Sequence, residues 1–149
     1  MDDTASELSR LLGPLRRAVL RATRSAEGLP DLPEAQIELL RALAAEGPLS
    51  PRDTARRLGV ATSTVSNLVK SLTAVGLVNR EQVPGDLRAA VLALSPAALD
   101  LLDRYDRTSS TALAHAIDRL PTGDRETLAA ALPVLLRLTA ALEPRRSES

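Results

Sequence analysis

Apolar residues recur every three or four positions along most of the chain, which is the spacing of one helix face. The pattern predicts a helix over 5–27 and a second helix that begins at Pro33 or Glu34 and ends before Gly47-Pro48. Gly13-Pro14 lies inside the first helix. Because a proline there removes one backbone hydrogen bond, we expect a kink or a fresh start at that point.

The far end of the chain repeats this helical spacing. Ser95-Pro96 places a capping residue directly before a proline at the first helical position, which is a specific start signal. Two helices are therefore predicted over 96–120 and 122–142, and we expect Pro133 to bend the last one. Residues 143–149 are predicted to form a frayed tail.

Between these ends, two shorter helices joined by a tight turn are predicted over 50–75. Ser50 caps the first of them, Ala55 supplies the small contact where the helices cross, and Gly59 can adopt the left-handed conformation of the turn. The predicted core between the two helices consists of four aliphatic residues: Leu58, Val60, Val65 and Leu68.

The exposed face of the second short helix is unusually polar. Its predicted members are Thr62, Ser63, Thr64, Ser66, Asn67 and Lys70. Short hydroxyl and amide side chains have the size and chemistry to contact base edges in the major groove, and a lysine suits phosphate. The alternative is that Ser and Thr cluster at a helix start for capping, but capping uses only one or two of them.

A short hairpin is predicted next, over 77–94, with Pro84-Gly85-Asp86 as its turn. Arg80 lies on the outgoing strand, and Arg88 lies near the tip. A guanidinium at a hairpin tip can enter the minor groove, and Asp86 can hold Arg88 in position by a charge-assisted hydrogen bond. The alternative is a solvated Asp–Arg surface pair. A helix pair followed by a basic hairpin predicts a winged helix-turn-helix lobe over 34–95 that binds double-stranded DNA.

The charge distribution agrees with this prediction, although the net charge is zero. Six basic and three acidic side chains fall within 48–90, so positive charge is concentrated where the predicted DNA-binding lobe lies. Every basic residue except Lys70 is arginine. Arginine suits phosphates and guanine edges, but a general compositional bias toward arginine explains the same count.

Other classes of protein are excluded by what the sequence lacks. Without cysteine there are no disulfides or thiolate metal sites, and a single histidine argues against a transition-metal sensor. No nucleophile–histidine–acid set or phosphate loop is present, so we expect neither an enzyme nor a cofactor. No apolar run approaches the ~20 residues of a membrane span, and the acidic N-terminus is unlike a signal peptide, so a cytoplasmic protein is expected.

At this point the chain resembles the MarR family of bacterial transcription regulators over nearly its whole length, 1–149, as one domain. The resemblance implies a mainly α-helical fold with a small β-hairpin wing, in which helices at 5–27 and 96–142 form a homodimer on a pseudo-palindromic DNA site. It also implies a repressor that a small-molecule effector releases. Its most specific motifs are Thr64-Val65-Ser66-Asn67-Leu68-Val69, Gly76-Leu77-Val78-Asn79-Arg80, Asp86-x-Arg88 and Leu92-x-Leu94-Ser95-Pro96.

The resemblance assigns roles residue by residue. Arg88 becomes the wing arginine, Asp86 its orienting partner, and the polar face of the second short helix becomes the DNA-reading surface. Ala61 stands where a capping serine is common in the family, so Thr62 is a candidate for the cap. Asn67 stands where arginine is frequent, which replaces a guanine contact by one that favours adenine.

The terminal helices carry more leucine than one small core would bury. A two-fold dimer would cover these side chains, and packing of the first helix on the last within one chain is the alternative.

With no Phe or Trp, any ligand pocket would be aliphatic, and its residues are not identified by the sequence. Thr108-Ser-Ser-Thr111 marks either a bend or a polar cavity wall. A winged helix that binds only proteins is the competing function, and it would expose apolar side chains in place of the polar set.

Overall fold

The structure, a computed structural model, describes residues 2–143, apart from the side chains at positions 2, 26, 27, 87 and 88. Its described part contains six helices and two strands. Their order along the chain is α1 (Asp2–Glu27), α2 (Glu34–Glu46), α3 (Pro51–Leu58), α4 (Thr62–Ala74), β1 (Val78–Val83), β2 (Asp86–Leu94), α5 (Pro96–Asp118) and α6 (Thr122–Leu142). The chain divides after Ser109 into two compact units, so that α5 contributes to both. Most of the predicted tail at 143–149 lies outside the described residues.

The two internal prolines do not interrupt their helices. Pro14 lies inside α1 and Pro133 lies inside α6. The alternative that a new helix begins at Gly13-Pro14 is therefore wrong. Each proline removes one backbone hydrogen bond, and the helix on either side keeps the others. No helix among the described residues is long and apolar enough to cross a membrane.

The turn between α3 and α4 forms as its residues predict. The Ser50 hydroxyl accepts a hydrogen bond from the Asp53 backbone N–H at 3.0 Å, which confirms the cap. Gly59 ends α3 in the left-handed region with φ 67°, and the next N–H, of Val60, donates to the Ala55 carbonyl at 3.0 Å. Ala55 is buried at the crossing.

The prediction that Val60 belongs to the core of the helix pair is wrong. Val65 is fully buried, and Leu58 and Leu68 pack partly buried against the core, but 39% of Val60 is exposed. Val60 comes directly after the left-handed Gly59, and its side chain stays outside the cluster of buried residues that the helices share.

The core of the first unit joins the helix pair to the hairpin. Its largest fully buried apolar side chains come from α2, α4, β1 and β2, and they are Leu39, Leu40, Leu72, Leu92, Val65 and Val78. Leu49, just before α3, bridges to Leu92 by two backbone hydrogen bonds of 3.2 and 2.6 Å. Strand β2 is therefore paired on both sides, with β1 and with Leu49.

The hairpin occupies nearly the whole predicted stretch, but its pairing is less regular than predicted. Strands β1 and β2 pair in antiparallel register from Val78–Leu94 to Gln82–Ala90, after which the register shifts and Val83 pairs with Asp86. Asp86 therefore begins β2 instead of lying in the turn. Pro84-Gly85 alone forms the turn, and the Gly85 φ of 85° suits the third position of a type II turn. The shift leaves 87–89 as extra residues on β2, a bulge at the hairpin tip.

Candidate nucleic-acid interface

Helix α4 begins without a side-chain cap. Ala61 is the capping position, with extended backbone angles of φ −67° and ψ 150°, and it has no side chain that can accept a hydrogen bond. Thr62 is the first residue inside the helix. The expectation that Thr62 takes over the cap is therefore wrong, because the chain has already entered the helix at that residue, and its hydroxyl stays exposed.

The predicted polar face of α4 is present on the surface. All six of its side chains are exposed: Thr62, Ser63, Thr64, Ser66, Asn67 and Lys70. Helical spacing places Ser63, Asn67 and Lys70 opposite the buried residues of the same helix, while Thr62 and Thr64 lie on the flanks. None of the six side chains forms a hydrogen bond or ion pair within the described part of the chain. Their polar groups are thus available to an external partner.

Two arginines that were not named as site residues lie on the neighbouring helix. Arg52 and Arg56 are one turn apart on α3, and both are exposed. Arg57 differs, because it forms an ion pair with Glu46 of α2 at 2.5 Å. The first helix of a helix-turn-helix crosses the DNA backbone, so these arginines are candidate phosphate contacts. Their signal in the sequence was the positive charge within 48–90.

Backbone hydrogen bonds fix the base of the hairpin against the end of α4. The Leu77 N–H donates to the Leu72 carbonyl at 2.9 Å, and the Ser95 N–H donates to the Leu77 carbonyl at 3.0 Å. Ser95 in turn caps α5, since its hydroxyl accepts from the Ala98 N–H at 3.2 Å. These hydrogen bonds fix the position of the hairpin relative to the end of α4.

The predicted wing residues are only partly described. Arg80 is exposed on β1, and Asp86 is exposed at the start of β2. The backbone of Arg88 lies in the bulge of β2, but its side chain lies outside the described residues. The pairing of Asp86 with Arg88 stays a prediction.

A cavity of about 320 Å³ lies in the same compact unit as this surface. Helices α1, α2 and α5 supply its walls: Arg16, Val19, Leu20, Thr23, Glu34, Ile37, Arg41, Tyr105 and Ser109. Helix α5 runs unbroken through 108–111, and Ser109 faces the cavity, which favours the cavity wall over the bend. Among the described residues, no group of three or more His, Asp or Glu side chains is placed to hold a metal ion.

Arginines at this cavity already have carboxylate partners. Arg16 of α1 bonds to both Glu34 and Glu38 of α2. Its side-chain hydrogen bond to Glu38 raises the pKa of the Arg16 guanidinium, and the charges of both glutamates add to the effect. Arg41 of α2 pairs with Asp106 of α5 at 2.8 Å. Ion pairs therefore link α2 to the helices on either side.

A short helix pair, an exposed polar helix face and a hairpin at its side define a winged helix-turn-helix, a DNA-binding fold. A model of the MarR family matches residues 28–89, which include α2 to α4 and most of the hairpin. Over this lobe the chain is similar to the MarR family of transcription regulators.

Relatives match along most of the chain, and solved structures match its fold. The HTH-type transcriptional regulator MT0903.1 of Mycobacterium tuberculosis is 29% identical over 133 residues, which cover 87% of this chain and 93% of that protein. The crystal structure of RV1404 from Mycobacterium tuberculosis matches with a TM-score of 0.79 at 20% identity, covering 97% of each chain. A variant of Staphylococcus aureus MepR bound to an oligodeoxyribonucleotide matches with a TM-score of 0.65 at 20% identity, covering 91% of this chain and 98% of that one.

The uncapped start of α4 gives a testable expectation. Ala61→Ser would supply the missing acceptor for a first-turn N–H and should raise the free energy of unfolding by about 1 kcal/mol. Urea denaturation would measure the change. Ala44→Ser, at an exposed position inside α2, is the control and should be neutral or slightly destabilising. Equal effects of the two serines would show that position 61 is not a cap.

Proposed function

We propose that this protein is a homodimeric repressor that binds a pseudo-palindromic operator with α4 and the wing, and that a small ligand releases it. The observation that carries the DNA-binding part is the face of α4, whose exposed polar side chains have no partner within the described chain. A protein-binding winged helix would instead present apolar side chains there.

Each member of the interface has a role suited to its chemistry. Asn67 can donate to and accept from adenine in the major groove, and Ser63 and Ser66 can bond to base edges or phosphates beside it. Lys70 lies one turn further along α4, where a flexible ammonium suits a phosphate. Arg80 and Arg88 on the hairpin are proposed to reach the minor groove or its phosphates. Sequence is thus read by α4, and the wing adds affinity.

Site selection from randomised duplexes tests this proposal. We expect enrichment of a pseudo-palindrome whose half-sites lie about 10 base pairs apart. On that operator, Asn67→Ala should cost about 1–3 kcal/mol and relax the preference at one base pair, whereas Lys70→Ala should weaken all sequences alike and lower the salt slope by about one.

Thr127→Ala is the control for these variants, because Thr127 is exposed on α6 and its hydroxyl bonds to the Gly123 carbonyl. Its affinity for the selected operator should equal that of the wild type. Retention of duplexes without any shared motif, lost as salt rises, would contradict sequence-specific reading.

Homodimerisation is proposed from the apolar faces of α1 and α6. About half of each side chain is exposed at Leu11, Leu12 and Leu15 of α1, and α6 has no buried residue in the single chain. Leucines this exposed, in two long helices, form more apolar surface than a monomer usually leaves in water. A second copy would cover both faces by two-fold symmetry.

Leu136, 72% exposed on α6, is the position for a dimer test. Leu136→Glu should shift the dimer toward monomer by about a hundredfold or more in Kd, because an unpaired carboxylate would be buried in the interface. Sedimentation equilibrium at micromolar concentration measures the shift. Val75→Glu, at a 61% exposed valine directly after α4 and outside the segments 5–27 and 96–142, is the control and should leave the dimer intact. A monomeric wild type would contradict the proposal.

The cavity between α1, α2 and α5 supports release by a small ligand. Its lining combines apolar side chains such as Val19 and Ile37 with the guanidiniums of Arg16 and Arg41. A ligand with an apolar body and a carboxylate would compete with the acidic partners of these arginines. Because those partners link α2 to α1 and α5, such an exchange would act on the lobe that holds α4.

Benzoate is a suitable first probe for this cavity. We expect benzoate to release the selected operator, measured by fluorescence anisotropy, and Ser109→Leu to demand a higher benzoate concentration because leucine fills part of the cavity. Ser110→Leu, at the exposed neighbouring position outside the lining, should respond as the wild type does. Equal responses of the two leucine variants would show that release does not pass through this cavity.

A further inference from the structure

A second cavity, of about 370 Å³, is lined by a stripe of arginines on α1. Arg17, Leu20, Arg21 and Arg24 follow one another at helical spacing and form one wall. Asp31, Pro33 and Glu34 line the opposite wall, from the connector and the start of α2. This arginine stripe points away from the leucine face of α1, so the proposed dimer would leave it open.

The acidic residues of this cavity are already paired. Asp31 lies 3.1 Å from Nε of Arg24, and Arg24 also donates to the Leu32 carbonyl at 2.5 Å. Glu34 accepts from Arg16, which does not line this cavity. Both carboxylates of the lining thus have a guanidinium partner.

Two positive charges of the lining are left uncompensated. Arg17 and Arg21 are exposed, and neither forms an ion pair or hydrogen bond through its side chain within the described residues. They lie one helical turn apart on the same wall of the cavity. Two free guanidiniums at one concave site match the charge and the forked geometry of a doubly charged anion.

We propose that this cavity binds a small dianion, such as a phosphate monoester or a dicarboxylate, through Arg17 and Arg21. Its volume is in the range of small-molecule sites. A small anion is favoured over DNA as the occupant, because Arg17 and Arg21 lie together within one concave site that residues of the connector and of α2 also line, and are not spread along an extended surface. The inference goes beyond the proposed function, since DNA binding, dimerisation and benzoate response do not depend on it.

This site can be distinguished from the first cavity, because the two differ in the residues that line them. Leu20 and Glu34 contribute to both cavities, but Arg17 and Arg21 line only this one, and Ser109 lines only the other. Ser109→Leu should therefore leave dianion binding unchanged while it weakens the benzoate response. The two sites can fail or succeed independently.

The test is a titration of the full chain with inorganic phosphate and, separately, with succinate. The Nε–Hε resonances of arginine report binding directly, and we expect those of Arg17 and Arg21 to shift saturably with at least one of the two probes. The probe that binds more tightly distinguishes the phosphate from the dicarboxylate. Acetate at matched ionic strength should shift them far less, because it carries one charge.

Variants locate the site. Arg17→Gln with Arg21→Gln should weaken binding by roughly tenfold for each guanidinium removed. Arg10→Gln is the matched control, because Arg10 is exposed on the same stripe of α1 but does not line the cavity. It should bind as the wild type does. The wild-type resonances test the proposal even if the double variant fails to fold.

Three results would overturn the proposal. The first is the absence of saturable shifts at Arg17 and Arg21 with either dianion, and the second is equal binding by the double glutamine variant. The third is a loss of operator affinity in that variant without any added anion, which would make the two arginines DNA-backbone contacts. A failure of operator selection, by contrast, would leave dianion binding untouched.

Discussion

The arrangement of the helix pair and the hairpin depends on the backbone pairing of Leu92. This residue is fully buried, pairs with Arg80 of β1 on one side, and exchanges two hydrogen bonds with Leu49 on the other. Leu49 directly precedes Ser50, the cap of α3, so the hairpin and the helix pair share one hydrogen-bonded junction. Buried backbone groups cannot give up such bonds without a penalty of about 1–3 kcal/mol each. The base of the wing is consequently held in place by obligatory backbone pairing.

Local signals in the sequence predicted the parts of the fold that local chemistry decides. Ser50, Gly59 and Ser95 act as the sequence indicated, because a cap or a left-handed turn involves only a few neighbouring residues. The errors arose where the tertiary context decides. Val60 is exposed because of where the chain leaves the turn, and Asp86 joins β2 because the hairpin register shifts.

Helix α2 connects the first unit through its charges as well as through its buried face. Its acidic residues bond to Arg16 of α1 and Arg57 of α3, and its own Arg41 bonds to Asp106 of α5. The side chains of these pairs are about half exposed to solvent, apart from that of Glu46, which is 29% exposed. An ion pair in contact with solvent contributes at most about 1 kcal/mol. These pairs add little stability, but they can be exchanged at low cost. This property would suit the proposed release, in which a ligand displaces α2 without unfolding the lobe. The sequence showed the charges but not their partners, since pairs between helices depend on the packing.

At the start of α4, hydrogen-bonding groups are left available to an external partner instead of being paired within the protein. A capping side chain at position 61 would stabilise the helix, and the chain has alanine there instead. The first-turn N–H groups consequently lack a side-chain acceptor, and the exposed hydroxyls of Thr62 and Ser63 form no internal bonds in the described chain. Helix N-termini with free N–H groups attract phosphate oxygens. The missing cap lowers the free energy of unfolding by about as much as a single good hydrogen bond to DNA contributes to binding. A bound duplex can therefore supply the hydrogen bonds that the first turn of α4 lacks in the free protein.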